Sequence, residues 1–266
     1  MTSSHYKVNL FIGLAILFLA IYFQVLGVSW NLELFKLINT WGKNFDDQVW
    51  SFLTLMGDTA ILWPVLLLLS LTSMQTIYSV LAAVPVGGLL SVLLKRLFDS
   101  PRPASIIESF ELHTIGPILK THSFPSGHTI TIFATIGVIY LCVGFKNKLL
   151  GIGLKIGLII FATLVALSRI MVGAHWPLDC LAGIGIGWIS GLSGIYLVDR
   201  FQIRLGSFKI SALVVFLLWA LSASNFYRVL DFPGSPLVVQ TTFLIATVML
   251  GFFSYKQKKL IAGFFT

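Results

Sequence analysis

The chain has 266 residues, 57% of them hydrophobic and only 11% charged, with a mean hydropathy of +0.93. Soluble globular domains carry about 25% charged residues, so a water-soluble fold is excluded; disordered or nucleic-acid-binding tails, which need low hydrophobicity and clustered charge, are excluded with it. The formal net charge is nevertheless +8, and on so apolar a chain that charge must sit in the few segments that leave the bilayer.

Taken in chain order, the apolar runs predict eight membrane-spanning helices, at approximately 8–28, 57–73, 77–94, 128–145, 150–171, 177–198, 210–223 and 236–254. The criterion is length: about 20 residues at roughly 1.5 Å rise cross the hydrocarbon core. The first run is long for a signal-peptide core and no small-x-small site follows Val28, so it reads as a span. From Ser29 to Gly57, residues such as Leu32, Phe35, Ile38, Trp41, Phe45, Val49, Trp50 and Leu53 recur at helical spacing among Glu33, Lys36, Lys43, Asp46 and Asp47. That pattern predicts interfacial helices, with the tryptophans at headgroup level. A second long connection, Asp99 to Pro125, carries Pro101, Pro103, Gly116 and Pro117; long loops are usually functional or disordered. The sixth run holds Gly183, Gly187 and Gly191 four residues apart, a pattern for close helix packing, because the strand-turn-helix context of a dinucleotide loop is missing. Cys142 and Cys180 fall near opposite membrane faces, about 20 Å apart at 1.5 Å per residue, so no disulfide is expected. Neither His-x-x-Glu-His, Cys-x-x-Cys nor a carboxylate cluster offers a ligand set, so no metal or other cofactor is expected.

Three segments concentrate polar residues where a membrane protein avoids them: Lys95 to Pro103 at the end of the third run, Ser123 to Thr129 opening the fourth, and Ser168 to Asp179 bridging the fifth and sixth. Successive spans alternate direction, so all three reach the same face. Lys95, Arg102 and Arg169 supply a point charge and two planar donor forks, suited to a phosphate dianion. Alone, Lys95 would read as a snorkelling helix flank; beside two arginines and two histidines it reads as part of an anion site. Pro125-Ser126-Gly127 precedes a helix whose free N–H groups favour an anion, Ser126 adds a hydroxyl, and Gly127 permits close backbone approach; by itself Ser126 is equally a helix cap. His175 and Asp179 are four apart and share a helix face, so the carboxylate can hold one ring nitrogen while the other is aimed at an electrophile. His128 remains to donate a proton to a leaving oxygen. Together these groups describe metal-free phosphoryl transfer.

Lys-x6-Arg-Pro at Lys95 to Pro103, Pro-Ser-Gly-His at Pro125 to His128, and Ser-Arg-x5-His-x3-Asp at Ser168 to Asp179 resemble, at all eleven positions, the three-part signature of the type 2 phosphatidic acid phosphatase superfamily. The resemblance implies an all-α membrane bundle with a six-span catalytic core over residues 1–204; the two additional apolar runs in 205–266 exceed the family's usual six. It implies His175 as the nucleophile that forms phosphohistidine, Asp179 as its orienting partner and His128 as general acid. Lys95, Arg102, Ser126, Gly127 and Arg169 would form the phosphate cradle. Members need no metal, and Ser168 and the prolines would be structural.

Arg96 and Asp99 read as a local salt-bridging pair of charges, and His113, Lys120 and His122 as solvated loop residues, although each could tune or touch a headgroup. Asn225, Tyr227, Arg228 and Asp231, between the last two spans, face the site side, where they could recognise a headgroup or merely end a helix; the helix ending is the favoured reading. With the N-terminus inside, the inner loops hold ten basic residues, including Lys7, Arg204, Lys209, Lys258 and Lys259, against the one acid Asp199, whereas the outer face holds eight basic residues and nine acids. The positive-inside rule thus predicts an extracytoplasmic site in a bacterial cytoplasmic membrane. With the resemblance, a site at that surface beside interfacial helices implies a lipid phosphate or diphosphate substrate and no nucleic-acid partner. The expected activity is hydrolysis. Transfer of the phosphoryl group to a second lipid is the alternative, since both share the first half-reaction. The vanadate-dependent haloperoxidases have a similar pocket but are soluble, and a non-catalytic lipid carrier would not need the intact signature.

Overall fold

The computed structural model describes residues 3–71, 73–144, 146–202 and 208–262, and these contain helices and loops but no strand. The helices are α1 (Ser3–Leu26), α2 (Trp30–Gly42), α3 (Asp47–Leu55), α4 (Thr59–Val65), α5 (Met74–Phe98), α6 (Gly127–Cys142), α7 (Lys148–Met171), α8 (Pro177–Arg200), α9 (Phe208–Ser224) and α10 (Ser235–Ala262). Their starts follow from local side-chain chemistry, because the first N–H groups of a helix lack intrahelical partners. The carboxylates of Asp46 and Asp58 accept from the N–H groups of Gln48 and Ala60, both at 2.8 Å, to open α3 and α4. Asn147 accepts from Leu150 at 3.1 Å to open α7, and Pro177 takes the first position of α8, where its missing N–H costs nothing.

Helix α8 is the axis of the bundle, packed against α1, α5 and α6, and its glycines make this possible. A Cβ on Gly187 would lie 2.7 Å from the Ile130 carbonyl oxygen and 2.8 Å from the Phe133 Cβ, and one on Gly191 would lie 2.9 Å from the Ala134 oxygen. The stripe therefore allows backbone-to-backbone contact, as small residues do between membrane helices. Between lipid-like solvent and a lipid-like core there is little hydrophobic gain, so such close dispersion contact carries the association.

Among the described residues, six helices are long and apolar enough to cross a membrane, one of them α9, which runs on through a 3-10 turn to Tyr227. Two expected spans differ in form. The segment expected as a straight span over 57–73 is α4, containing Pro64, followed by a 3-10 stretch from Leu66 to Leu71, and it meets α3 at a bend of 74°. The expected span over 128–145 is the 16-residue α6, only about 24 Å long at 1.5 Å per residue. Its middle, Thr129 to Val138, is largely buried between α5, α7 and α8, so protein rather than lipid surrounds most of it. Two of the interfacial features also differ. Trp30 and Trp41 are exposed, but Trp50 is buried and donates to the Gly42 carbonyl at 2.9 Å, and α3 packs a buried side (Thr54, Leu55) on α7. Of the expected inner charges, Arg204 and the side chains of Lys209, Lys258 and Lys259 lie outside the described residues. Both cysteines are free thiols, Cys142 exposed and Cys180 buried.

Candidate active site

One end of the bundle holds the three polar segments. Gln24 at the end of α1 donates to Ser100 after α5, at 3.0 Å; the N–H of Ser123 donates to the Ser100 carbonyl at 2.9 Å; and the N–H of Ser126 donates to the Asp179 carbonyl at 3.0 Å. Hydrogen bonds thus stitch the loop after α5 and the starts of α6 and α8 into one unit. The turn between α7 and α8 folds tightly: the Arg169 carbonyl accepts from the N–H groups of Ala174 and His175, at 3.0 and 3.1 Å. Gly173 sits there at φ +73°, a left-handed conformation, and a Cβ on it would lie 2.6 Å from the His113 carbonyl oxygen, so glycine is required.

His175 is 2% exposed and lies between two partners. Its Nδ1 is 3.2 Å from Asp179 Oδ2 and its Nε2 is 3.3 Å from Arg102 Nη1. A guanidinium can only donate, so Nε2 must accept, which puts the ring proton on Nδ1 facing the carboxylate. Burial, followed by the charges of Arg102, Arg169 and Lys95, pushes the His175 imidazole well below its ordinary value and keeps it neutral. A neutral ring with its lone pair on Nε2 is the form that can attack phosphorus. Asp179 is fixed in turn, its Oδ2 accepting from Ser123 Oγ at 2.5 Å and from the Trp176 N–H at 2.8 Å.

The cations are held by neutral oxygens, and among the described residues none of the three forms a direct ion pair with a carboxylate. Arg102 donates from Nε to the Thr121 carbonyl at 2.9 Å and from Nη1 to the Ala174 carbonyl at 3.0 Å, and Lys95 donates to the His122 carbonyl at 2.6 Å. Arg169, 5% exposed, donates from Nη1 to Thr54 Oγ1, while its Nε is buried with no partner among the described residues. A buried, unmatched guanidinium N–H costs free energy unless an anion reaches it. Ser126 caps α6 with its hydroxyl toward Thr129, and Gly127 is the first residue of that helix.

His128 and Gly127 line a cavity of about 470 Å³ between α4, α5 and α6. Asp58, Thr131 and Arg228 line it too, whereas Trp63, Val80, Val84, Ile130 and Ala134 give it an apolar wall. Every expected site residue therefore lies at this end: His175, Asp179, Arg102 and Arg169 in direct contact or buried together, and Lys95, Ser126, Gly127 and His128 around them.

Other residues here have no motif. Thr54 holds Arg169, and Ser123, although inside the second polar segment, has a partner 56 residues away. Asn39 on α2 donates to the carbonyls of His113, Ile170 and Met171 at 2.9–3.0 Å and accepts from the His113 N–H at 2.9 Å, tying the long connection to α7. A buried asparagine on an amphipathic stretch is the available sequence signal. Arg228 departs from its reading as a helix ending, since it forms a two-pronged pair with Asp58 at 2.9 and 2.7 Å. His122 fits the solvated-loop reading, exposed beside Asp99 at 3.5 Å, whereas His113 is largely covered and bonded to Asp47 at 3.0 Å.

A model of the PAP2 superfamily matches residues 74–203. The chain is 31% identical over 193 residues to an undecaprenyl-diphosphatase of Sulfolobus acidocaldarius, covering 68% of this chain and 86% of that one. It is 29% identical over 171 residues to the undecaprenyl-diphosphatase BcrC of Bacillus subtilis, covering 60% and 80%. The crystal structure of Aquifex aeolicus LpxE superposes with a TM-score of 0.54 at 31% identity, over 64% of this chain and 96% of that one. With eleven signature positions gathered at one end of a helical bundle, and that degree of likeness to whole relatives, the chain belongs to the PAP2 superfamily and is an integral membrane phosphatase.

Proposed function

We propose that the protein hydrolyses the terminal phosphate of a membrane lipid phosphate or diphosphate, without metal, through phosphohistidine on His175, at the extracytoplasmic face of the cytoplasmic membrane. The observation that carries this reading is the state of His175, whose Nε2 lone pair lies beside Arg102 while Asp179 holds Nδ1–H.

In the first half-reaction Nε2 bonds to phosphorus and the bridging P–O bond breaks, its electron pair going to the leaving oxygen. His128, which takes up a proton as the anionic substrate binds, gives that oxygen its proton. The positive charge arising on the His175 ring is met by Asp179, and the equatorial phosphoryl oxygens by Lys95, Arg102, Arg169, Ser126 and the Gly127 N–H. In the second half-reaction water attacks phosphorus, His128 takes the water proton, and the N–P bond breaks with its electrons returning to Nε2. The apolar wall beside His128 suits a tail that stays in lipid, and two relatives are named for a polyprenyl diphosphate. The excess of basic residues opposite the site supports the extracytoplasmic placement.

The test is phosphate release by purified protein in detergent from a panel of lipid phosphates and diphosphates, with chelator present. Release by the wild type and a fall of about 10³-fold or more in H175A, with an unchanged elution profile, are expected. Surviving H175A activity overturns the nucleophile assignment, and loss with chelator overturns the metal-free chemistry. Label appearing only on a second lipid would make the protein a phosphotransferase.

A further inference from the structure

The C-terminal hairpin of α9 and α10 lies beyond the residues matched by the family model, yet one of its side chains reaches the cavity that His128 lines. After α9 the chain makes a 3-10 turn, Asn225–Tyr227, and this turn is fastened to the start of α4. Asn225 is buried and donates to the Ala60 carbonyl at 2.8 Å, while accepting from Arg228 Nη1 at 2.8 Å. The guanidinium of Arg228 then grips both carboxylate oxygens of Asp58, which also caps α4. Such a geometry fixes the plane of the fork, and no mere helix ending requires it. Three of the five guanidinium N–H groups are committed to these bonds; Nε–H and one Nη2–H have no partner among the described residues.

The position of the fork relative to the reaction decides its use. His175 does not line this cavity, whereas His128, Gly127, Asp58 and Arg228 do. On the mechanism proposed above, His128 faces the leaving group, so this is the leaving-group side. From a lipid monophosphate the leaving group is an uncharged alcohol; from a lipid diphosphate it is a phosphate monoester, with acceptor oxygens and negative charge. Because both oxygens of Asp58 are already engaged, the pair presents donors to the cavity rather than a bare carboxylate. We propose that Arg228, brought in by the C-terminal hairpin and aimed by Asp58, is a specificity-determining residue that favours lipid diphosphates over monophosphates with the same tail. The inference rests on the assignment of His128 to the leaving-group side, and it gives the two extra spans a role at the site.

The experiment compares kcat/KM for phosphate release from farnesyl diphosphate and farnesyl monophosphate by full-length protein in detergent. In R228Q the diphosphate-to-monophosphate ratio is expected to fall about tenfold, because only the diphosphate loses a charge-assisted partner. R228K, which keeps the charge without the fork, is expected to lose part of the preference, and it serves as the readout should R228Q fail to elute as a single species. An unchanged ratio, both substrates falling together, or a shift toward the diphosphate in either variant overturns the proposal. If the wild type releases phosphate from neither probe nor from any lipid in the panel, the hydrolase reading itself fails; a wild type active on either probe with an Arg228-independent ratio sinks only the specificity role.

Discussion

Four separate segments converge on His175: Asp179 from α8, Arg102 from the loop after α5, and Lys95 and Arg169 from the ends of α5 and α7. Removing the acceptor should therefore do more than remove a hydrogen bond, because Asp179 fixes which nitrogen carries the proton. D179N keeps the shape but can present an N–H to Nδ1, and phosphate release is expected to fall by about 10²-fold or more. S123A removes only a donor to that carboxylate and is expected to cost about tenfold, in line with about 1.5 kcal/mol for a hydrogen bond to a charged group. Equal rates in D179N and wild type would show that the carboxylate does not orient the ring. The His175–Asp179 pairing was legible from the four-residue spacing, but not on the shared helix face expected: His175 sits in the turn just before Trp176, the N-cap of α8, and Asp179 meets it from the first helical turn. Ser123 and Thr54 were not legible, because their partners lie 56 and 115 residues away along the chain.

At the scale of the helices, the glycine stripe on α8 sets how close α6 can come, and α6 carries His128 at its start. G187L would force a branched side chain into the Ile130 and Phe133 backbone region. We expect a cost of about 1–3 kcal/mol, read as a lowered midpoint of thermal unfolding in detergent, together with reduced activity from a displaced His128. An unchanged midpoint would mean that the α6–α8 contact is not under packing constraint. The stripe was readable as packing from its spacing alone. The 74° bend between α3 and α4 was not, because an apolar run reads the same whether it continues straight or turns. The bend matters to the site: it places Thr54 against Arg169 and Asp58 in the lining of the cavity.

For the whole molecule, the charge of +8 divides unevenly: ten basic residues and one acid on the expected inner side, eight basic residues and nine acids on the outer. In a C142A/C180A background, F110C on the long connection is expected to react with a membrane-impermeant maleimide in intact cells, and K146C only after permeabilisation. The reverse pattern would place the site in the cytoplasm. The sequence by itself determined the membrane class, the approximate spans and the eleven signature positions, because hydropathy and one-turn spacings are local properties that survive in one dimension. Only the tertiary structure decided that α8 is the axis, that α6 can be short because protein surrounds it, and that the last hairpin delivers Arg228 to Asp58 across 170 residues of chain. Those features depend on which helix faces pack together, and in a chain this apolar nearly every face is a candidate until close backbone contact and buried hydrogen bonds select one arrangement.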